Sequence, residues 1–468
     1  MDFIMKVFRY PLLFILACFA STYAQDLSFA EELFENHETY KVAGFQQRRI
    51  KQTEVLSAID KAIAQYPGVF ESRIVGTSVQ GRPLPMLSFG NGDIDVLMWS
   101  QMHGNESTAT RAIFDLLHFI GAQQETPQVQ HLLNALRIHI IPMLNPDGAQ
   151  EFQRENALGI DLNRDALRLV SPEAQTLKRV RDSLDADYGF NLHDQSRYYN
   201  VERTPKQASI SFLATAYNYE KAMNDKRQDA AQLIGYLHAI NEKFIPGHTG
   251  RYSDDFEPRA FGDNIQLWGT RLILIETGGF PDDREKSMGR KMNYVLIGSA
   301  LDAVATSSFE QIAELAYWDI PENDRKLFDL KIEKVQVTVE KKPYVLDLGI
   351  NFNEVATADS YLLDASLEDR GDLSTYYAYE VRNAEGYELI VPKRYPKKIK
   401  TIEDRNKLLR QGYAFSRLNK EGAFGFKGVQ SASPLLEDAY RHVTFFLQKE
   451  GELEVLVLNG KLIQLSDL

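Results

Sequence analysis

Short apolar segments alternate with longer amphipathic segments over the first two thirds of the chain. Apolar runs such as LPMLSF, DVLMWS, LRIHIIPM and RLILI have the length and composition of buried strands. Apolar residues at helical spacing predict helices over residues 107–122, 172–184, 226–243 and 284–305. This alternation predicts an α/β fold with a mixed, mostly parallel sheet covered by helices on both faces.

The segment before the first predicted strands has the pattern of a helical lead-in. Thr53 is a candidate N-cap, and Leu56, Ile59 and Ile63 fall on one helical face before Pro67 ends the pattern. A short strand over residues 74–78 and a turn at QGRP follow.

The pattern changes after about residue 318. Segments such as VQVTVEKKPYVLDLGI, YELIVPKRY and ELEVLVLNGKLIQL alternate apolar and polar residues, and Asn459-Gly460 is a typical hairpin turn. We therefore expect residues 25–318 to form one domain and residues 330–468 a smaller, mainly β accessory domain. The alternative is an extension that packs onto the first sheet.

Length and charge narrow the classes of function. The 468 residues suffice for two or three domains, and the composition is that of a globular protein. The net charge of −12 argues against nucleic acid as a partner, because a phosphate-binding face needs clustered Lys and Arg.

The N-terminus resembles an export signal. Lys6 and Arg9 precede the apolar run 11–20, and small residues place a cleavage site after Ala24. We expect a secreted or periplasmic protein without a later transmembrane segment. The alternatives are a lipoprotein anchored through Cys18 and a buried N-terminal helix. Cys18 is the only cysteine, so metal ligands in a mature chain would be His, Asp or Glu.

Polar residues follow several of the predicted strands. His103 and Glu106, in the motif HGNE, come directly after DVLMWS, and imidazole and carboxylate are donors that suit zinc. The motif NPDG ends the strand LRIHIIPML, and Arg154 and the segment DLNRD (161–165) follow it. These residues can bind a carboxylate, or they can be turn residues with surface ion pairs.

Two further strand ends carry His193 and Glu276. His193 can be a metal ligand or a hydrogen-bonded core histidine. Glu276, at the end of RLILIE, needs a partner because an unpaired buried charge is costly, or else it caps the turn before Gly278. Ligands bind at the carboxyl ends of strands in such sheets, so the four groups together indicate an open zinc site.

The motifs and their order resemble those of the zinc carboxypeptidase (carboxypeptidase A-like) family over roughly residues 40–310. In chain order they are HGNE, NPDG, Arg154, DLNRD, His193 and ETGG. The resemblance implies one Zn²⁺ per chain and a peptide substrate, which could be a peptidoglycan-derived peptide. It implies hydrolysis of the C-terminal peptide bond. The implied metal ligands are His103, Glu106 and His193.

The resemblance also assigns the remaining roles. Glu276 is the implied base, Arg154 the oxyanion donor, and Asp161 the partner that orients His103. Asn163 and Arg164 are the implied ligands of the substrate's terminal carboxylate.

Two substrate-binding candidates depart from the family pattern. Tyr252 lies 24 residues before Glu276, where the family places a tyrosine about twenty before the base. Arg259 could favour an acidic substrate group, as in a cell-wall peptide, or it could pair with Asp254 or Glu257.

The sequence leaves two other functions open. One is a zinc-dependent deacylase or amidase of N-acyl amino acids or cell-wall peptides. The other is a catalytically inactive module that binds peptides.

Overall fold

The structure is a computed structural model that describes residues 26–416 and 443–468, apart from residues 359 and 398. The predicted signal (1–24), its cleavage site and Cys18 lie outside the described residues.

Helices and strands alternate through the first part of the chain, and strands predominate from residue 323 onward. The α-helices are α1 (Ser28–Tyr40), α2 (Gln52–Gln65), α3 (Thr108–Ala122), α4 (Pro127–Ala135), α5 (Pro146–Glu151), α6 (Pro172–Leu184), α7 (Asp225–Phe244), α8 (Phe261–Leu267), α9 (Ser287–Thr306), α10 (Leu315–Trp318) and α11 (Ile402–Arg410). The strands are β1 (Glu71–Thr77), β2 (Pro83–Phe89), β3 (Ile94–Ser100), β4 (Leu136–Ile141), β5 (Tyr188–Asp194), β6 (Asn200–Val201), β7 (Ile210–Leu213), β8 (Thr249–Arg251), β9 (Arg271–Thr277), β10 (Asn323–Asp324), β11 (Leu327–Val339), β12 (Lys342–Ala356), β13 (Tyr361–Gly371), β14 (Tyr377–Asn383), β15 (Glu388–Ile390), β16 (Lys393–Tyr395), β17 (Tyr413–Ser416), β18 (Phe445–Lys449), β19 (Glu452–Leu458) and β20 (Lys461–Gln464).

The first large sheet has the strand order β1-β2-β4-β3-β5-β9-β7-β8. Its centre is parallel, because β3 pairs in parallel with both β4 and β5, and β5 pairs in parallel with β9. The antiparallel pairs lie towards its edges, at β1–β2, β2–β4 and β7–β9. The predicted mixed sheet is confirmed.

Helices cover this sheet on both faces, as predicted. Along β3, Val96 and Met98 pack into one hydrophobic core with α1, α3 and α9. Leu97 and Trp99 point the other way into a second core with α6 and α8. Burial on both faces explains why the strand sequence is almost continuously apolar.

The C-terminal region forms a second large sheet, as the alternating pattern predicts. Its strand order is β13-β12-β11-β15-β18-β19-β20, and β14 pairs with β11. Asn459 and Gly460 make the predicted hairpin turn, since Leu458 pairs with Lys461. Both turn residues have positive φ angles, 47° and 74°, as expected for the Asn-Gly hairpin signal.

Loops next to the first sheet contact the second sheet through side chains. The hydroxyl of Tyr198 donates to Asp329 Oδ2 at 2.6 Å, and Arg284 Nη2 donates to Asp329 Oδ1 at 3.0 Å. The rings of Phe152 and Tyr361 stack with centroids 5.9 Å apart. None of the helices within residues 26–416 and 443–468 combines the length and apolar character needed to cross a bilayer.

The prediction of Thr53 as the N-cap was wrong. The helix begins at Gln52, and the N-cap is Lys51, two residues before the predicted position. The reason is a capping contact that propensity does not show: Glu54 Oε2 accepts from the backbone N–H of Lys51 at 2.8 Å.

Candidate metal centre and active site

The carboxyl ends of three adjacent parallel strands define the site. His103 follows β3, His193 lies near the end of β5, and Glu276 lies near the end of β9. His193 and Glu276 are directly paired across β5 and β9. Parallel pairing therefore brings residues 83 positions apart in sequence to neighbouring places at one edge of the sheet.

Glu106 joins the two histidines. Its Oε1 lies 2.8 Å from His103 Nδ1, and its Oε2 lies 2.8 Å from His193 Nδ1. One ligand atom from each of the three residues falls within 4.8 Å of the others, and all three residues are buried. This is the arrangement of a three-ligand metal site.

Asp161 and Arg154 surround this cluster. Asp161 Oδ1 lies 3.0 Å from His103 Nε2, and its Oδ2 accepts from Arg154 Nη2 at 2.9 Å. Arg154 Nη1 lies 3.2 Å from Glu106 Oε1. The predicted oxyanion donor and the predicted orienting carboxylate are thus both at the cluster.

The electrostatics follow from burial and these contacts. Burial opposes charge on Glu106, but the two histidines hold its pKa well below its usual value. Burial lowers the pKa of His193, which favours the neutral imidazole that binds metals. Burial also opposes charge on His103, but Glu106 and Asp161 raise its pKa to about 9.

Glu276 has a different environment. Burial, and next the neighbouring Glu106 carboxylate, hold its pKa well above the usual value for a glutamate. Its Oε2 is buried and has no hydrogen-bond partner within the described part of the chain. A raised pKa makes the Glu276 carboxylate a stronger base than an ordinary glutamate, which suits the role of a general base.

The residues fit a zinc ion. Two imidazoles and one carboxylate are a donor set found at catalytic zinc sites, which keep a further position open for water. The Nε2 of His103 is held by Asp161, which leaves its Nδ1 facing Glu106. His193 also presents Nδ1 to Glu106, so both rings offer the same nitrogen to one point.

Sequence inspection missed Gln101, and it did not show that Asn145 of the NPDG motif holds the HGNE loop in place. Gln101 follows β3 with φ of 52°, a positive value that only a well-supported backbone retains, and its Nε2 donates to Gly104 O at 2.9 Å. Asn145 Nδ2 donates to the carbonyls of Met102 and Arg154, both at 3.2 Å. A polar residue buried directly after an apolar strand is the signal that could have identified them.

The NPDG motif packs directly on HGNE. It forms α5, with Asn145 as its N-cap and Pro146 in the first turn. A Cβ at Gly104 would clash with the backbone of Gly148. The HGNE loop and the first turn of α5 therefore contact each other through their backbones, which requires glycine at position 104.

The predicted substrate-binding residues lie around one loop. Asn163 Oδ1 accepts from Phe261 N at 2.9 Å, at the start of α8, and Arg164 Nε lies 3.6 Å from Glu257 Oε2. Arg259 Nε lies 3.3 Å from Glu257 Oε1 and is exposed, so the ion pair considered as its alternative is present.

Tyr252 lies close to the predicted base. It directly follows β8, and its ring centroid is 5.5 Å from that of Tyr199. Burial, and next the nearby Glu276 carboxylate, raise the pKa of Tyr252 well above its usual value.

Comparisons with known proteins match the chain to carboxypeptidases. Residues 55–232 match the model of the zinc carboxypeptidase family. The chain is 28% identical to carboxypeptidase E of Caenorhabditis elegans in an alignment of 356 residues that covers 67% of this chain and 71% of that protein. It is 31% identical to carboxypeptidase M of Mus musculus in an alignment of 134 residues that covers 25% of this chain and 30% of that protein.

Solved structures of carboxypeptidases also match. A metallo-carboxypeptidase from Burkholderia cenocepacia is 19% identical with a TM-score of 0.44, covering 56% of this chain and 70% of that one. Residues 55–232 are thus similar to a zinc carboxypeptidase domain. Its alignments span 16% to 30% of the length of several curated relatives, among them the carboxypeptidases M, D, N and Z.

Proposed function

We propose that the protein is a zinc metallocarboxypeptidase that removes the C-terminal residue of a peptide. The observation that supports this most strongly is the register of β5 and β9. It sets Glu276 beside His193, while Glu106 joins His193 to His103. Among residues 26–416 and 443–468, no group hydrogen-bonds to Oε2 of Glu276, which leaves this oxygen free to act as a base on a water molecule at the three-residue cluster.

The residues at the site have different roles in the proposed hydrolysis. A zinc ion held by His103, Glu106 and His193 would polarise the scissile carbonyl and acidify a water molecule. Glu276 takes a proton from the attacking water and returns it to the leaving amine. Arg154, whose guanidinium reaches the cluster, donates to the oxygen on which negative charge develops.

The terminal carboxylate of the substrate is assigned to Asn163 and Arg164. Arg164 is partly exposed and can offer a planar fork to a carboxylate, and the side chain of Asn163 is held by a hydrogen bond from the first residue of α8. Tyr252 lies on the Glu276 side of the site and is assigned a contact with the substrate. Fixing the chain end in this way would leave only the last peptide bond within reach of the cluster.

The test is a comparison of the chain with its Glu276→Gln variant, with zinc content measured in both. Both proteins are incubated with an N-acetylated peptide and with N-acetyl amino acids, and the products are identified by mass spectrometry. We expect one zinc per chain in both, release of single C-terminal residues, and a fall in kcat of about 10²–10⁴-fold in the variant. A Glu403→Gln variant, changed at an exposed position of α11, is the control and should keep full activity.

The other outcomes identify the alternatives. Release of acetate from N-acetyl amino acids without peptide trimming would indicate a deacylase instead of a carboxypeptidase. Binding of zinc and peptide without any hydrolysis would indicate a binding module. If zinc does not bind, the assignment of the three ligands is wrong.

We also propose that residues 1–24 direct export. The basic start and the short apolar run support this. The mass and N-terminal sequence of the protein recovered from a secreting host test it: a chain that begins at Gln25 supports cleavage after Ala24. A lipid-modified Cys18 would support the lipoprotein alternative instead.

A further inference from the structure

A cleft connects the candidate active site to the second sheet. It has a volume of about 340 Å³, at the lower end of the roughly 300–1,000 Å³ typical of small-molecule sites. Glu106 and Arg154 line it at the cluster, and Phe352, Asn353 and Glu354 of β12 line it opposite. The second sheet thus supplies one wall of a space that opens onto the metal cluster.

This wall is held in a fixed position. Glu354 pairs with Arg48, which is buried next to the active-site cleft. The backbone nitrogen of Phe352 donates to Asp329 Oδ2 at 2.7 Å and lies 3.1 Å from the hydroxyl oxygen of Tyr198, which itself donates to Asp329. Asp329 of β11 and Tyr198, in the loop after β5, therefore position β12.

The position of the cleft assigns it to one part of a substrate. It does not include Asn163 or Arg164, which the proposed function assigns to the terminal carboxylate. If that carboxylate lies at these residues and the scissile carbonyl lies at the cluster, the preceding residues must continue beyond the cluster. The cleft between the cluster and β12 offers that path.

The lining also has the hydrogen-bonding character that a peptide requires. Asn105 Oδ1 and Asp194 Oδ1 are acceptors, and Arg284 Nη1 is a donor. Each is buried and has no hydrogen-bond partner in the part of the chain that the structure describes. A peptide main chain offers both N–H donors and carbonyl acceptors, so it can satisfy groups of both kinds.

We propose that β12 of the second sheet is a specificity element of the active site. Its residues 352–354, and Asn353 in particular, contact the residues of a peptide substrate that precede the scissile bond. The proposal rests on the proposed carboxypeptidase function and adds the C-terminal region to the substrate-binding surface.

A pair of tryptophan substitutions on one strand tests the proposal. Asn353→Trp adds bulk to the cleft, whereas Val355→Trp adds the same bulk at a position of β12 that is 49% exposed and does not line the cleft. The substrates are N-acetylated peptides that share their last residue and have one, two or four residues before the scissile bond. Zinc content and far-UV circular dichroism verify the fold of each variant.

We expect Asn353→Trp to lower kcat/KM for the longest peptide by about tenfold or more. Cleavage of the shortest peptide should be unchanged, and Val355→Trp should act like the unsubstituted chain on all three. The proposal is overturned if Asn353→Trp affects all lengths equally, or if the two tryptophan variants behave alike.

Binding separates this proposal from the proposed function. The Kd of the longest and shortest peptides is measured in Glu276→Gln, alone and combined with each tryptophan substitution. Suppose that the chain cleaves no peptide but Asn353→Trp selectively weakens binding of the longest one. The role of the cleft in peptide binding is then supported, and the proposed carboxypeptidase activity is not. If the peptides bind with a Kd that neither substitution changes, the assignment of the cleft is wrong whatever the activity.

Discussion

Asp161 accepts a hydrogen bond from His103 across a distance of 3.0 Å, from Nε2 of the ring to Oδ1 of the carboxylate. The other ring nitrogen, Nδ1, faces Glu106. A carboxylate in this position fixes the tautomer of the histidine and increases the basicity of the nitrogen that binds the metal.

We therefore expect Asp161→Asn to weaken zinc binding by about 10–100-fold. Competition with a chelator of known zinc affinity measures the change. Asp185→Asn is the matched control, because Asp185 is exposed and asparagine tolerates its left-handed conformation at φ of 46°. Equal zinc affinity in the two variants would show that Asp161 does not support the metal site.

The cluster of His103, Glu106 and His193 could be predicted from the sequence because the motif HGNE follows one apolar strand and His193 lies near the end of another. The family resemblance supplied the choice between a ligand and a core residue at His193, which the strand pattern alone left open. The contacts around Gln101 and Asn145 could not be predicted, because they join loops whose relative position depends on the whole sheet.

The cleft next to β12 could not be predicted from the sequence pattern either. Alternation of apolar and polar residues predicts a strand there, and the strand is present. It carries no information about which other sheet the strand faces. The ion pair between Arg48 and Glu354 joins residues 306 positions apart, and neither lies in a motif.

The glycine that follows Thr277 gives a second prediction. A Cβ at Gly278 would clash with the backbone carbonyl of Ala208, which cannot move as a flexible side chain can. We expect Gly278→Ala to displace the end of β9 and with it Glu276, so that kcat/KM falls and stability drops by about 1–3 kcal/mol.

Gly44→Ala is the matched control, since an added Cβ there meets no atom within 4 Å. Its stability should stay within about 0.5 kcal/mol of the unsubstituted chain. Denaturant unfolding and peptide hydrolysis are measured on both variants. A fully active Gly278→Ala variant would contradict the close approach at this turn.

A buried ion pair far from the cluster gives a third prediction. Asp115 is fully buried and accepts from Arg290 through Nε and Nη2, both at 2.7 Å. Asp115→Leu leaves the buried guanidinium without its carboxylate, and we expect it to lower the free energy of unfolding by about 3–5 kcal/mol. The double variant Asp115→Leu/Arg290→Met should be more stable than the single variant in denaturant unfolding. Additive losses would show that the two residues do not act as a pair.

The last prediction concerns pH and Asp263 in α8. Burial raises the pKa of Asp263 to about 7, although its Oδ1 accepts from the backbone N–H of Glu257 at 3.0 Å. Between the usual pKa of an aspartate and pH 7, the folded chain therefore binds more protons at this position than the unfolded chain. It follows that Asp263 reduces stability as pH rises over this interval, by up to about 4 kcal/mol once the carboxyl group is ionised.

Asp263→Asn removes this titration and keeps an oxygen that can accept from Glu257 N. The free energy of unfolding of the variant, relative to the unsubstituted chain, should therefore increase from pH 4 to pH 8. Urea unfolding at four pH values across that range, with zinc held constant, measures the difference. Asp282→Asn, at an exposed position, should show no such trend. A difference for Asp263→Asn that stays constant with pH would mean that the folded and unfolded chains bind the same number of protons at Asp263, and that burial does not raise its pKa.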